Sequence, residues 1–111
     1  MKFEVKDWWY QQEQNKAQRY NWTLCWGKVY ERETEDGEKK RVSETHGQYL
    51  MDKGEKVEVV GYYLCGDKVR ETEKAIEVVL SFWNLRKAGR YVTDAPVEKR
   101  WKTWIPKSVL I

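Results

Sequence analysis

Strand periodicity constrains this chain more than any other feature. In Lys74-Ala75-Ile76-Glu77-Val78-Val79-Leu80-Ser81-Phe82-Trp83, the apolar residues Ile76, Val78, Leu80 and Phe82 recur at every second position. That period places them on one face of an extended segment and predicts a half-buried β-strand. The opposite face carries Ala75, Glu77, Val79, Ser81 and Trp83, a mixture suited to a partly exposed sheet surface. Trp22 to Arg32 alternates as well, with Trp22, Leu24, Trp26 and Tyr30 on one side and Gly27 in mid-strand marking a bulge or bend.

Turn residues divide the remainder. Asp36-Gly37 favours a tight hairpin that returns residues 21–33 into roughly 39–46, where Lys39-Lys40-Arg41 reads as a charged edge strand. Val57 to Cys65 reads as a strand ended by Gly66-Asp67-Lys68, Asn84 to Pro96 as a long loop, and Glu98 to Ile105 as a final strand that Pro106 stops. Phe3-Glu4-Val5 starts a strand at the front. Gln11 to Arg19 holds good helix formers with only Ala17 for an apolar stripe, so it reads as a polar turn of helix or a mobile loop. Five or six strands with little helix predict one mainly β domain over residues 1–111. The expected architecture is a small closed or half-closed β-barrel, either of the oligonucleotide-binding (OB-like) type or SH3-like.

Catalytic chemistry is tightly bounded. One histidine and two cysteines cannot supply a four-ligand zinc site or more than one acid–base imidazole. His46 stands in Ser43-Glu44-Thr45-His46-Gly47, but sequence nearness does not establish a nucleophilic triad, which depends on spatial placement. No phosphate-cradling glycine loop or nucleophile elbow is present. The expectation is a protein that is not an enzyme, with no catalytic residue, no metal and no cofactor. Met1 to Asp7 alternates charge where a signal peptide needs an apolar stretch, and no apolar run reaches membrane-spanning length. Cys25 and Cys65 sit in apolar strand-like runs, where reduced, buried thiols are expected, a cross-strand disulfide being the alternative. These features point to the cytoplasm, or the host cytoplasm for a viral protein, and to no membrane partner.

Aromatic residues and cations carry the functional reading. Seven Trp, seven Tyr and two Phe among 111 residues exceed the about five to eight large rings that one small barrel interior accommodates. Trp8, Trp9, Tyr10, Tyr20, Tyr91 and Trp104 lie in segments where polar neighbours or alternation bring rings to the surface. The net charge of +3 is small, but residues 84–111 hold seven basic against two acidic groups, net +5. Exposed rings beside cations suit single-stranded nucleic acid, because bases stack on the rings while the cations follow phosphates. Arg86, Lys87, Arg90 and Tyr91 form one such set, and Arg100, Lys102 and Trp104 a second. In the second set Trp101, Thr103 and Ile105 are expected to face inward, so that the trio projects from the other side of the strand. Trp8, Trp9 and Tyr10 form a candidate protein-docking patch. The acidic hairpin tip, Glu31 to Glu38, repels phosphate and suits a basic protein partner instead.

Lys74-Ala75-Ile76 opening one strand and Trp104-Ile105-Pro106-Lys107-Ser108 closing the chain resemble a pattern found in small phage-encoded β-proteins, with a longer connection between the two parts here. The resemblance covers about the last third of the chain. It implies a replication or accessory role, with Trp104 and Ile105 capping the barrel and Pro106 preventing further strand. The leading expectation is therefore a non-enzymatic binder of single-stranded nucleic acid. The alternative is a phage-type accessory or inhibitor protein that binds and blocks a protein partner, for example a host defence nuclease.

Overall fold

A computed structural model describes residues 1–84 and 101–111 of the chain, with Trp83 and Asn84 described through their backbone. Its elements are β1 (Lys2–Val5), α1 (Asp7–Gln18), β2 (Trp22–Leu24), β3 (Trp26–Glu33), β4 (Lys39–Val42), α2 (Glu44–Asp52), β5 (Val57–Glu71), β6 (Ala75–Leu80), β7 (Phe82–Asn84) and β8 (Trp101–Pro106), followed by a 3-10 turn at Lys107–Val109. The mainly β class holds. A six-stranded antiparallel sheet runs β4-β3-β5-β6-β8 with β1 also on β5, and β2 pairs with β7 separately. Among the described residues the sheet is not closed into a barrel, which corrects the expectation of a closed one: β4 and β8 form its two ends.

A three-strand junction takes the place of closure. The register of β3 on β5 pairs Trp26 with Leu64, that of β5 on β6 pairs Gly66 with Leu80, and that of β2 on β7 pairs Leu24 with Phe82. Extending each ladder by one step makes Cys25, Cys65 and Ser81 mutual partners. Their backbones close a ring: Cys65 N–H donates to Cys25 O (3.0 Å), Cys25 N–H to Ser81 O (2.9 Å) and Ser81 N–H to Cys65 O (2.8 Å). Each of the three strands thus changes partner at this point with the N–H and C=O groups of all three junction residues paired. The preceding residues Leu24, Leu64 and Leu80 point to the opposite face by strand alternation, and all three are buried. The small side chains Cys25, Cys65 and Ser81 fit where three strands converge on one side.

β5 is consequently longer than expected, running straight through Gly66. A Cβ on Gly66 would overlap the Val79 carbonyl of β6, so glycine permits close approach here and does not end the strand. Gly27 has a similar role. The β3–β5 register shift falls between Val29 and Tyr30 instead, while the Tyr63 ring lies where a Gly27 Cβ would stand.

Two helices exceed the sequence expectation. α1 buries Trp9, Tyr10, Glu13, Gln14 and Ala17, a continuous helical stripe whose middle is polar. Gln14 explains the polarity: its Oε1 accepts from Leu24 N–H at 2.8 Å and its Nε2 donates to Leu24 O at 3.5 Å, standing in for a neighbouring strand on β2. Glu13 accepts from the Trp101 indole N–H at 3.1 Å and pairs with Lys16 at 3.3 Å. The Asp36-Gly37 hairpin forms with Gly37 at φ 83°, but its return strand stops at Val42. There Ser43 caps α2 by accepting from His46 N–H, and Gly47 lets the helix press against the Tyr30 ring.

The core comprises Phe3, Val5, Trp9, Tyr10, Trp22, Leu24, Leu64, Val78, Leu80, Phe82, Ile105 and Val109 with their neighbours. Within it Trp22 stacks on Phe82 at 4.2 Å and Tyr10 on Tyr62 at 4.2 Å. Replacing Phe82→Ala is expected to cost about 3–5 kcal/mol in denaturant unfolding, and a wild-type unfolding curve would refute this strand-face assignment. Gln14→Ala is expected to cost about 1–3 kcal/mol by stranding the Leu24 backbone groups; an unaltered midpoint would show that they find other partners.

Candidate nucleic-acid interface

Strand alternation sorts β6 and β8 into two faces. Val78 opposes Thr103, Leu80 opposes Trp101, and Ile76 opposes Ile105 on the core side. Glu77 opposes Trp104 and Val79 opposes Lys102 on the other. β5 extends the outer face with Arg70 opposite Glu77 and Asp67 opposite Val79. Two rows therefore cross three strands, Arg70–Glu77–Trp104 and Asp67–Val79–Lys102.

Glu77 organises the first row. Its Oε1 lies 3.1 Å from Arg70 Nε and 3.9 Å from Lys102 Nζ, and the residue is only 5% exposed beneath them. This carboxylate holds the Arg70 guanidinium 5.2 Å from the centre of the Trp104 ring, a cation–π arrangement that leaves Trp104 38% exposed. Among the described residues, Arg70 and Lys102 against Glu77 and Asp67 leave this face locally balanced. Lys107 is engaged elsewhere: it and Lys68 hydrogen-bond to Glu71 at 2.6 and 3.1 Å and hold that carboxyl below the usual carboxylate range.

A second aromatic group lies where β7 ends and β8 begins. Tyr20 is 60% exposed and packs against Trp22 at 5.7 Å and edge-on to Trp101 at 6.1 Å, while Trp22 and Trp101 meet at 5.9 Å. Arg19 is exposed beside Tyr20. Trp101 meets this cluster from the core side of β8, while Lys102 next to it faces the outer side.

Lys102 and Trp104 thus share one outer face, as alternation implies. Arg86, Lys87, Arg90, Tyr91 and Arg100 lie outside the described residues. The docking patch of Trp8, Trp9 and Tyr10 needs correction: Trp9 and Tyr10 are buried because they lie with Glu13, Gln14 and Ala17 on the inward stripe of α1, whereas Trp8 falls outside that stripe and is exposed. Burial also pushes the Tyr10 phenol pKa up. Arg70 was not singled out by sequence, because it follows a bulge between Lys68 and Arg70 that shifts the alternation.

Trp26 and Tyr49 are two further exposed rings absent from the sequence candidates. They line a groove of about 550 Å³ between β3 and α2 together with Tyr30, Glu44, Gln48 and Asp52. Glu44 accepts from Lys28 N–H at 2.7 Å and from Tyr63 OH at 3.2 Å. Burial first, then the charges of Glu44 and Asp52, push the Tyr30 phenol up, and burial with Glu44 does the same to Tyr63. Ser43 and His46 are joined through a backbone amide and the Ser43 hydroxyl, a helix cap, with no imidazole contact to that hydroxyl among the described residues. No three His, Cys, Asp or Glu side chains gather into a metal-binding group among the described residues, and no described helix is long and apolar enough to cross a membrane.

No family model, curated protein or solved structure matches the chain.

Replacing Glu77→Gln is expected to free Arg70 from its position over Trp104. The check is Trp fluorescence in Glu77→Gln against Glu77→Gln/Trp104→Phe. A Trp104 emission identical with that in the wild type would mean that Glu77 does not place the guanidinium.

Proposed function

We propose that the chain binds single-stranded nucleic acid along the outer face of β8, with Trp104 as the stacking ring and Arg70 and Lys102 as phosphate contacts. The observation that carries this reading is the row Arg70–Glu77–Trp104 beside Lys102, a ring and two cations exposed on one sheet face. Stacking needs only a flat π surface and tolerates any base, while cations supply affinity that falls with salt. Because Glu77 and Asp67 balance the described cations on this face, the electrostatic share comes from the whole basic C-terminal third, including Arg86, Lys87, Arg90 and Arg100 with Tyr91. The proposed ligand is bound without chemical change and without a cofactor.

A second reading is favoured by the β3–α2 groove. Exposed Trp26 and Tyr49 beside Glu44 and Asp52 suit a protein partner, as does exposed Trp8. This fits the accessory or inhibitor role that the phage-type resemblance implies.

A labelled oligonucleotide titrated against tryptophan fluorescence separates the two. Nucleic-acid binding is expected to quench emission, to weaken steeply with added salt, and to lose on the order of tenfold in affinity in Lys102→Ala/Trp104→Ala. The melting temperature of that variant is expected to stay close to wild type, since both side chains are at the surface. Absence of quenching at low salt, or undiminished affinity in the variant together with weakened affinity in Trp26→Ala/Tyr49→Ala, would overturn the β8 site.

A further inference from the structure

The cyclic junction places the chain's two cysteines directly across from one another. Continuing the β3–β5 register one step beyond Trp26–Leu64 pairs Cys25 with Cys65, and Cys65 N–H donates to Cys25 O at 3.0 Å. Here one ladder bond joins the two residues while their remaining groups bond Ser81; opposed residues of an antiparallel ladder project from the same face with Cα atoms about 4.5–5.5 Å apart. That separation falls within the range that a disulfide bridges without backbone movement. Both thiols are free and both are half-buried, so neither is sealed from a small oxidant.

We propose that Cys25 and Cys65 are a redox-active pair that closes into a cross-strand disulfide, covalently locking β3 to β5 at the point where three strands exchange partners. The oxidant is a low-molecular-weight disulfide such as glutathione disulfide. One cysteine thiolate attacks a sulfur of the oxidant, forming a mixed disulfide and releasing one glutathione thiolate, which takes up the proton the cysteine gave. The second cysteine, as thiolate, attacks the protein sulfur of the mixed disulfide and releases the second glutathione, which is protonated in turn. Two electrons pass from the protein dithiol to glutathione disulfide, and two glutathione thiols result. The mixed disulfide is short-lived because its resolving thiol stands across the ladder.

The surroundings bear on rate. Burial, then the adjacent Cys65 thiol, push the Cys25 thiol up to about 11, with Lys2 acting in the opposite direction. Cys25 is thus mostly protonated at neutral pH and the exchange is slow. The bridge closes a loop of roughly 40 residues, a length for which a crosslink removes substantial freedom from the unfolded chain. Ser81, the third member of the junction, carries no sulfur, so only one pairing is open.

The test equilibrates the full-length chain in reduced and oxidised glutathione, quenches with acid and alkylates. Under oxidising mixtures the intact mass is expected to lose two hydrogens and retain no glutathione, and a proteolytic map to link the Cys25 peptide to the Cys65 peptide. The melting temperature is expected to rise by roughly 10 °C and to return on reduction. Persistent glutathione adducts, two free thiols under strongly oxidising mixtures, or a bridge between two chains would overturn the proposal. Cys65→Ser is expected to keep Cys25 as a free or glutathionylated thiol with no rise in melting temperature, and an equal rise in that variant would show that the crosslink is not its cause.

Discussion

Three backbone hydrogen bonds at Cys25, Cys65 and Ser81 set the frame for the rest of the molecule. An open antiparallel sheet ordinarily leaves edge strands that must be covered or charged. In this chain the strand containing β2 and β3 leaves β5 at Cys25, and the strand containing β6 and β7 enters at Ser81 to pair with both. The ring of N–H to C=O bonds satisfies the groups that such a fork would otherwise strand. Beneath it Leu24, Leu64 and Leu80 share one buried layer, so the junction joins the two ladders to one core. The outer face of β5, β6 and β8 is a consequence of this divergence, since its first row, Asp67–Val79–Lys102, lies two residues past the fork.

Polar side chains complete what the backbone leaves open. Gln14 occupies the free side of β2 at Leu24, and Glu44 accepts from the Lys28 amide on the stretch of β3 that β4 does not reach. Each substitutes for a missing strand at a single position. Glu13 and Glu77 are both nearly buried carboxylates paired with surface cations, and each fixes an aromatic side chain's surroundings: Glu13 through the Trp101 indole, Glu77 through Arg70 over Trp104. Side-chain placement at the candidate interface therefore depends on one carboxylate that also lowers its local charge. On the nucleic-acid reading proposed for this face, stacking surface is built at the expense of electrostatic attraction.

Much of the sheet was legible. Ile76, Val78, Leu80 and Phe82 declared their face by alternation, Asp36-Gly37 declared the hairpin, and Lys102 with Trp104 followed from the period of two. The helices were not, since α1 buries Glu13 and Gln14 in the middle of its inward stripe and periodicity analysis counts such residues as solvent-facing. For the same reason the sequence presents Trp9 and Tyr10 as surface rings although the helix buries them. α2 was hidden because its burial rests on Gly47 and Leu50, too little apolar signal to compete with the preceding charged strand. The junction did leave a trace: Leu24-Cys25, Leu64-Cys65 and Leu80-Ser81 repeat a leucine followed by a small polarisable or hydroxyl residue. Nothing in one strand's pattern says that three such steps meet, so that trace acquires meaning only with the register.

The ring at Cys25, Cys65 and Ser81 has to be a stable part of the native state for the two ladders to share one core. Native-state amide hydrogen exchange reads it residue by residue, because an amide opens locally or only when the whole chain unfolds. All three amides are expected in the slowest class, with opening free energies equal to that of global unfolding, while Gly37 at the hairpin tip exchanges rapidly. Exchange of any of the three by local opening, at rates near that of Gly37, would contradict the account.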